Sequence, residues 1–210
     1  ITSMHMDRQN RLWIGHGARC LSLFDPGTRS LRTTEIPPPL PTPRVREHIT
    51  FIDEDADGVL WLSTFRGLVR FDPRVGEPEP IMLHIPPGEP GHASVFHIRG
   101  IVDEDTALVF GTWSEGIFRM RKSDGTLRLL WPDAGHVPTM VDHLVTNMCR
   151  LPDGMIMVAT IDQGLLQLDP RSGVVSHFDR SLREQDSRRS EPLFAGCYRL
   201  LALPEALVMG

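Results

Sequence analysis

Apolar residues in this chain come in short, closely spaced bursts rather than in the stripes of an amphipathic helix. "LWIG" (residues 12–15), "LWLS" (60–63) and "GLVRFDP" (67–73) are β-branched or aromatic runs too short for helices, bounded by Asp, Gly and Pro. The bursts repeat. "ITSMHMDRQNRLWIGHGARCLSLFDP" begins at Ile1 and "ITFIDEDADGVLWLSTFRGLVRFDP" at Ile49, so Ile1 to Ile49 and Trp13 to Trp61 are both separated by 48 residues. A third copy, "HIRGIVDEDTALVFGTWSEGIFRM", sets Gly111 48 residues after Ser63. A fourth, "HLVTNMCRLPDGMIMVATIDQGLLQLDP", sets Asp153-Gly154 two periods after Asp57-Gly58, and a fifth opens at "CYRLLALPEALVMG".

Each copy reads as four short strands. They are an inner "I-T-x-I" run, the "LWIG" or "LWLS" run, the "GLVRFDP" run, and an outer run such as "IMLHI" (residues 81–85) or "TLRLLW" (126–131). Turn residues divide them: Asp57-Gly58, Asp72-Pro73, Asp124-Gly125 and "DPRSG" at 169–173. Four antiparallel strands at a period near 48 describe a β-propeller blade, and the non-alternating "VLWL" suits a sheet covered on both faces by neighbouring blades. The predicted fold is all-β, with blades at about 1–36, 49–85, 97–131 and 144–178 and an incomplete one at 196–210, forming an open, partial propeller. Trp13 and Trp61 are expected in the packing between blades.

"DADGVLWLSTFRGLVRFDP" and "DRQNRLWIG" resemble the two-component regulator propeller repeat, roughly I-x-x-I-x-x-D-x-x-G-x-L-W-I-G-T-x-x-G-L-x-x-F-D. The likeness covers nearly the whole chain. Copy three departs from it with Val109-Phe110, copy four with Met157, and copy one lacks the Thr after Gly15. The resemblance implies a seven-bladed propeller, often two in tandem, in the periplasmic sensing part of an inner-membrane histidine kinase, hybrid two-component protein or diguanylate cyclase. It implies recognition without catalysis, no cofactor, and a homodimeric parent whose membrane-linked signalling domain is a partner within the same chain. The first residue is Ile and the last lies inside a repeat, so a fragment of a longer protein is expected.

Residues 53, 55 and 57 are all Asp and precede Gly58, which raises the question of a calcium loop. An EF-hand loop ends on a bidentate Glu at its twelfth position and is flanked by helices. Here the twelfth residue from Asp53 is Thr64, and a strand pattern follows the glycine. The other copies place "DRQN", "DEDT", "LPDG" and "LPE" at the same point, so a hairpin turn is the reading taken, with no metal assigned.

Composition narrows the class further. Apolar residues make up 40% of the 210 and charged residues 23%, and no apolar run reaches the length of a membrane helix. The formal charge of −5 argues against a nucleic-acid partner. Cys20, Cys149 and Cys197 are too few for a disulfide framework and lack metal spacing. "IPPPLPTPR" (36–44) and "IPPGEPGH" (85–92) read as rigid links between blades, and "SLREQDSRR" (181–189) as a solvated loop.

Candidate chemistry gathers at one end. In an a-b-c-d meander the b–c loops and the d-to-a entries share one end of the blade, while the repetitive a–b and c–d turns share the other. The b–c loops are varied: "HGAR" (16–19), "FRG" (65–67), "WSEG" (113–116) and "IDQG" (161–164). Phe65 and Trp113 beside Arg66, Glu115, Asp162 and Gln163 have the chemistry of sugar recognition, in which ring faces stack and planar polar groups bond hydroxyls; Arg also suits a carboxylate or sulfate. Packing of Phe65 and Trp113 against the next blade is equally open. His48, His97 and His143 each precede the first apolar residue of an inner strand, and a metal site, a polar lining for a ligand and loop-anchoring hydrogen bonds are all open to them. These residues are the candidate site for a small-molecule ligand, with carbohydrate the expected class. No catalytic motif such as Gly-x-Ser-x-Gly or HExxH is present. The alternatives are a propeller lyase or lactonase using the histidines with a metal, and a protein-interaction scaffold with a broad apolar rim.

Overall fold

The computed structural model describes residues 1–17, 19–37, 48–64, 67–87, 97–132, 144–161 and 163–178, together with the backbone of two further strands. Four sheets of four antiparallel strands follow one another along the chain. Blade one holds β1 (Ser3–Met6), β2 (Leu12–Gly15), β3 (Cys20–Asp25) and β4 (Ser30–Glu35). Blade two holds β5 (Ile49–Glu54), β6 (Leu60–Thr64), β7 (Gly67–Phe71) and β8 (Pro78–Ile81). Blade three holds β9 (Ile98–Glu104), β10 (Ala107–Thr112), β11 (Ile117–Arg121) and β12 (Leu127–Trp131). Blade four holds β13 (Val145–Arg150), β14 (Ile156–Thr160), β15 (Leu165–Leu168) and β16 (Val175–His177). β17 (Leu200–Leu203) and β18 (Ala206–Met209) pair as a hairpin.

The inner strands touch in sequence, β1 to β5 to β9 to β13 to β17, so the blades stack face to face in an arc. The second strands are the most buried because each blade faces a neighbouring sheet; all five residues of β6 and of β14 are buried. On the side of blade one turned away from blade two, Met4 and Met6 are 64% and 57% exposed. That is the open apolar face expected of an unclosed stack.

The pairing register repeats from blade to blade, with one residue fewer in the first hairpin of blade three. His5 pairs with Trp13, Asp53 with Trp61, Val102 with Val109 and Cys149 with Met157. Trp13 therefore lies in the joint between blades one and two, edge-on to Phe71 with ring centroids 5.6 Å apart. Trp61 lies in the next joint with Ile98, Ile101 and Phe118, and Val109 holds the equivalent place in the third with Val145 and Met148.

An Asp in the a–b turn fixes each tryptophan. Asp55 Oδ1 accepts the amides of Asp57 and Val59, each at 3.0 Å, and its Oδ2 accepts the Trp61 indole N–H at 2.9 Å and Lys122 Nζ at 3.2 Å. Asp7 does the same for Gln9, Arg11 and the Trp13 indole, the last at 2.9 Å. Gly58 closes the turn at φ +77°, a conformation that suits glycine. The aspartates of residues 53–57 thus divide in role, and Asp55 is the residue that ties turn to core.

One element differs from the sequence reading. The outer strand of blade two is Pro78–Ile81, not residues 81–85. Pro78 and Pro80 lack an N–H, but an edge strand does not use every donor. The chain beyond it crosses to blade three, where His84 bridges Thr126 in parallel and Leu83 and Ile85 pack on the core.

Trp61→Ala is expected to destabilise the protein by about 3 to 5 kcal/mol through lost core volume. Trp61→Phe keeps most of that volume but leaves a buried carboxylate oxygen short of a donor, and should cost about 1 to 3 kcal/mol. Chemical denaturation of both variants checks this; an unchanged midpoint for Trp61→Ala would show that the tryptophan is not a packing residue.

Candidate functional site

The end of the blades formed by the b–c loops is shaped by backbone irregularity. In blades two, three and four the inner strand carries one extra residue relative to its partner: Thr50, Arg99 and Thr146. A bulge re-aims the side chain it carries. Thr50 Oγ1 donates across the joint to the Ile98 carbonyl at 3.2 Å, helped by Ser63 Oγ at 2.7 Å. Between blades three and four this end closes on glycine instead, since a Cβ on Gly111 would fall 2.3 Å from Val145 Cγ1.

Arg99 occupies the bulge where the neighbouring blades have Thr, and its guanidinium carbon stands 4.5 Å from the Trp113 ring centroid. The His97 ring lies on the same group, 6.1 Å from Trp113 between centroids, and the Trp113 amide donates to the His97 carbonyl at 2.9 Å. Burial first, then the nearby Arg99 cation, pushes the His97 pKa down to about 4, so the ring is neutral at pH 7. All three residues are half-buried. Cation, indole and imidazole form one layered group at the mouth of the third blade.

The b–c loops share a closure. Thr112 Oγ1 donates to the Gly116 carbonyl at 3.1 Å and accepts the Glu115 amide at 2.9 Å; Thr160 does likewise for Gly164 at 2.8 Å and Gln163 at 3.0 Å. Glu115 and Gln163 therefore sit at the same loop position in successive blades. His48 bridges Gly17 at this end, against blade one. Phe65, Arg66, Asp162 and His143 lie outside the described residues.

The histidine pattern needs a correction. His97 precedes Ile98, which pairs with Thr112, and His48 precedes Ile49, which pairs with Thr64. In blade four the residue paired with Thr160 is Val145, so the equivalent position is Leu144, and the Ile161 amide donates to the Leu144 carbonyl as Trp113 does to His97. The strand begins one residue later than the "HLV" pattern suggests. Leu144, not His143, takes the third place in the arc.

At the opposite end, where the a–b and c–d turns lie, two cavities open between blades. One of about 290 Å³ separates blades two and three, and one of about 760 Å³ separates blades three and four. Sequence reasoning assigned this end to turn geometry alone. It also missed Arg99, although the change from "HIT" to "HIR" was visible as the one long side chain at a threonine position.

No protein-family model and no curated protein matches this sequence. Solved structures do share its architecture. The extracellular domain of the putative one component system BT4673 from B. thetaiotaomicron aligns with a TM-score of 0.68 at 20% identity, over 99% of this chain and 25% of that one. A second structure, described as the extracellular domain of the putative hybrid two component system BT4673, gives 0.68 at 19% over the same shares. Virginiamycin B lyase from Staphylococcus aureus gives 0.59 at 15%, over 83% of this chain and 54% of its own. The chain thus has the fold of propeller blades and spans about a quarter of the length of the BT4673 domains.

Two groups should give opposite pH signatures. His97 has a folded value of about 4 against an ordinary 6.5, so its stabilising neutral form is complete above pH 6.5 and is lost as pH falls toward 4. Burial lifts Asp53 from 3.8 to about 7, so its penalty is absent below 3.8 and grows as pH rises to 7. His97→Gln should therefore gain thermal stability relative to wild type on going from pH 7.5 to 4.5, whereas Asp53→Asn should raise Tm at pH 8 and lose that gain by pH 4. Melting curves across this range check both; parallel curves for variant and wild type would contradict the assigned burial.

Proposed function

We propose that this chain is the ligand-recognising propeller segment of an extracytoplasmic, membrane-linked signalling receptor, and that it binds a small ligand without transforming it. The fold it shares with the extracellular domains of BT4673 supports a sensing role. The ligand assigned is an oligosaccharide breakdown product, bound at the mouth that carries His48, His97, Arg99, Trp113, Glu115 and Gln163, with Phe65, Arg66 and Asp162 added from the sequence alone. The receptor works in the periplasm as a homodimer.

One observation carries the ligand class: the Arg99 guanidinium stands over the Trp113 ring, 4.5 Å from its centroid. A guanidinium held against an indole loses little further freedom when its N–H fork meets a planar acceptor, which suits a carboxylate or sulfate on a sugar. Glu115 and Gln163, fixed at equal positions by the Thr112 and Thr160 turns, add side chains suited to hydroxyl groups. Neutral His97 adds no charge to the mouth at pH 7.

In the intact receptor, Arg99→Ala or Trp113→Ala should shift the dose-response to ligand by roughly tenfold to a hundredfold, the equivalent of one charged hydrogen bond of about 1.5 to 3 kcal/mol. Tm should change little. Unaltered dose-response curves for both variants, in protein that remains folded, would remove the mouth from the signalling path.

A further inference from the structure

The third joint is built unlike the two before it. Pairing register sets Glu104 where Asp7 and Asp55 stand, Val109 where Trp13 and Trp61 stand, and Pro170 where the preceding joint has Lys122. In the second joint Trp61 and Lys122 fill the turn end together. Lys122 Nζ lies 5.8 Å from the Trp61 ring centroid, 3.2 Å from Asp55 and 2.6 Å from Asp103 Oδ1, and about 290 Å³ is left open. With valine and proline in those two places, the third joint keeps a cavity of about 760 Å³.

Glu104 lines that cavity with a side chain only 8% exposed. Its Oε2 accepts Arg119 Nε at 2.8 Å and Nη2 at 2.5 Å, but its buried Oε1 has no hydrogen-bond partner among the described residues. The indole that would have served it is absent, because Val109 carries no donor. A buried carboxylate oxygen without a donor is costly, so the site favours any solute that supplies one.

The neighbouring joint shows which donor fits. We propose that the cavity between blades three and four binds a small organic molecule through its ammonium group, which takes at Glu104 the place that Lys122 Nζ takes at Asp55. The charge of the lining favours a cation. Asp105, Asp153 and Asp169 stand around the opening, while the Asp103 carboxylate is taken up by Lys122 in the second joint. Of the three cations there, Arg119 is held by Glu104 and the Pro170 carbonyl at 2.8 Å, Arg150 by the carbonyls of Asp103 at 2.6 Å and Gly154 at 3.2 Å, and Arg171 is an exposed residue at the rim. Met155 offers an apolar wall for the carbon skeleton. A bare divalent ion is a poorer match, since no group of three or more His, Cys, Asp or Glu among the described residues is arranged to hold one. The site lies at the end opposite the mouth and uses none of its residues.

The test uses glucosamine, with glucose as its uncharged counterpart, and follows Tm and binding heat of the intact protein at pH 7. Glucosamine should raise Tm in proportion to the logarithm of its concentration, and glucose should not. Glu104→Gln should weaken glucosamine binding at least tenfold, and Arg99→Ala should leave it unchanged. Val109→Trp keeps the Glu104–Arg119 pair but fills the cavity, so it should abolish binding even if Glu104→Gln fails to fold. No response to glucosamine, an equal response to glucose, or binding that survives Val109→Trp in folded protein would overturn the proposal.

Discussion

The fold depends on a carboxylate placed under an indole. In blades one and two an Asp in the a–b turn uses one oxygen to gather the turn's amides and the other to accept the N–H of a tryptophan six residues on, from Asp7 to Trp13 and from Asp55 to Trp61. The turn is thereby locked to the blade face that packs on the next blade. Burial alone raises the pKa of Asp55, but the Trp61 indole, the Val59 amide and the Lys122 ammonium outweigh it and hold the carboxyl below its ordinary value. The carboxylate has room for about four donors, and four arrive. A calcium ion at residues 53–57 would have to displace bonds on which the joint is built.

Because one lock serves each joint, its loss is local. Blade three keeps an acid, Glu104, but has Val109 for the tryptophan; blade four has Leu151 and Met157 in the two places and makes the joint apolar. The first change removes a donor and keeps the acceptor, while the second removes both. Replacing both partners by apolar groups is close to neutral, whereas removing one leaves a buried polar atom in need. This is the physical difference between the cavity at the third joint and the packed cluster of Met157, Ala159 and Leu165 beyond it. The same substitutions that make copies three and four poor matches to the repeat pattern mark where the stack departs from structural uniformity.

The propeller architecture was legible in the sequence because a period of 48 residues is a global constraint that every blade must obey to stack. The burial of Trp13 and Trp61 and the turn role of residues 53–57 follow from the same period. The site was less legible. The residue that opens each inner strand is fixed by its pairing, Ile49 to Thr64, Ile98 to Thr112 and Val145 to Thr160, and not by the nearest apolar residue after a histidine, which is why "HLV" at residues 143–145 looked equivalent to "HIT" and "HIR" and is offset by one. Bulges leave little composition signature here, since Thr50 and Thr146 share a side chain but Arg99 fills the same place. Cavities are likewise invisible to a pattern search, because they arise from a residue missing on one blade and an unsatisfied acceptor on the same one.

The two ends of the arc then follow different rules. At the mouth, hydroxyl bonds such as Thr2 and Ser3 to the Ile49 carbonyl, and Thr50 and Ser63 to that of Ile98, draw adjacent inner strands together and leave little space within a joint. Variation there is carried outward, onto loops and the Arg99 bulge. At the turn end the joints are held by long side chains reaching between blades, as Lys122 does from blade three to Asp55 and as Arg119 does toward Pro170. Long side chains can be exchanged for short ones without moving the strands, because the β ladder does not depend on them. Among the described residues, space therefore opens between blades at this end, and a turn of conventional sequence can border a cavity whose chemistry is set by its neighbours in the next blade.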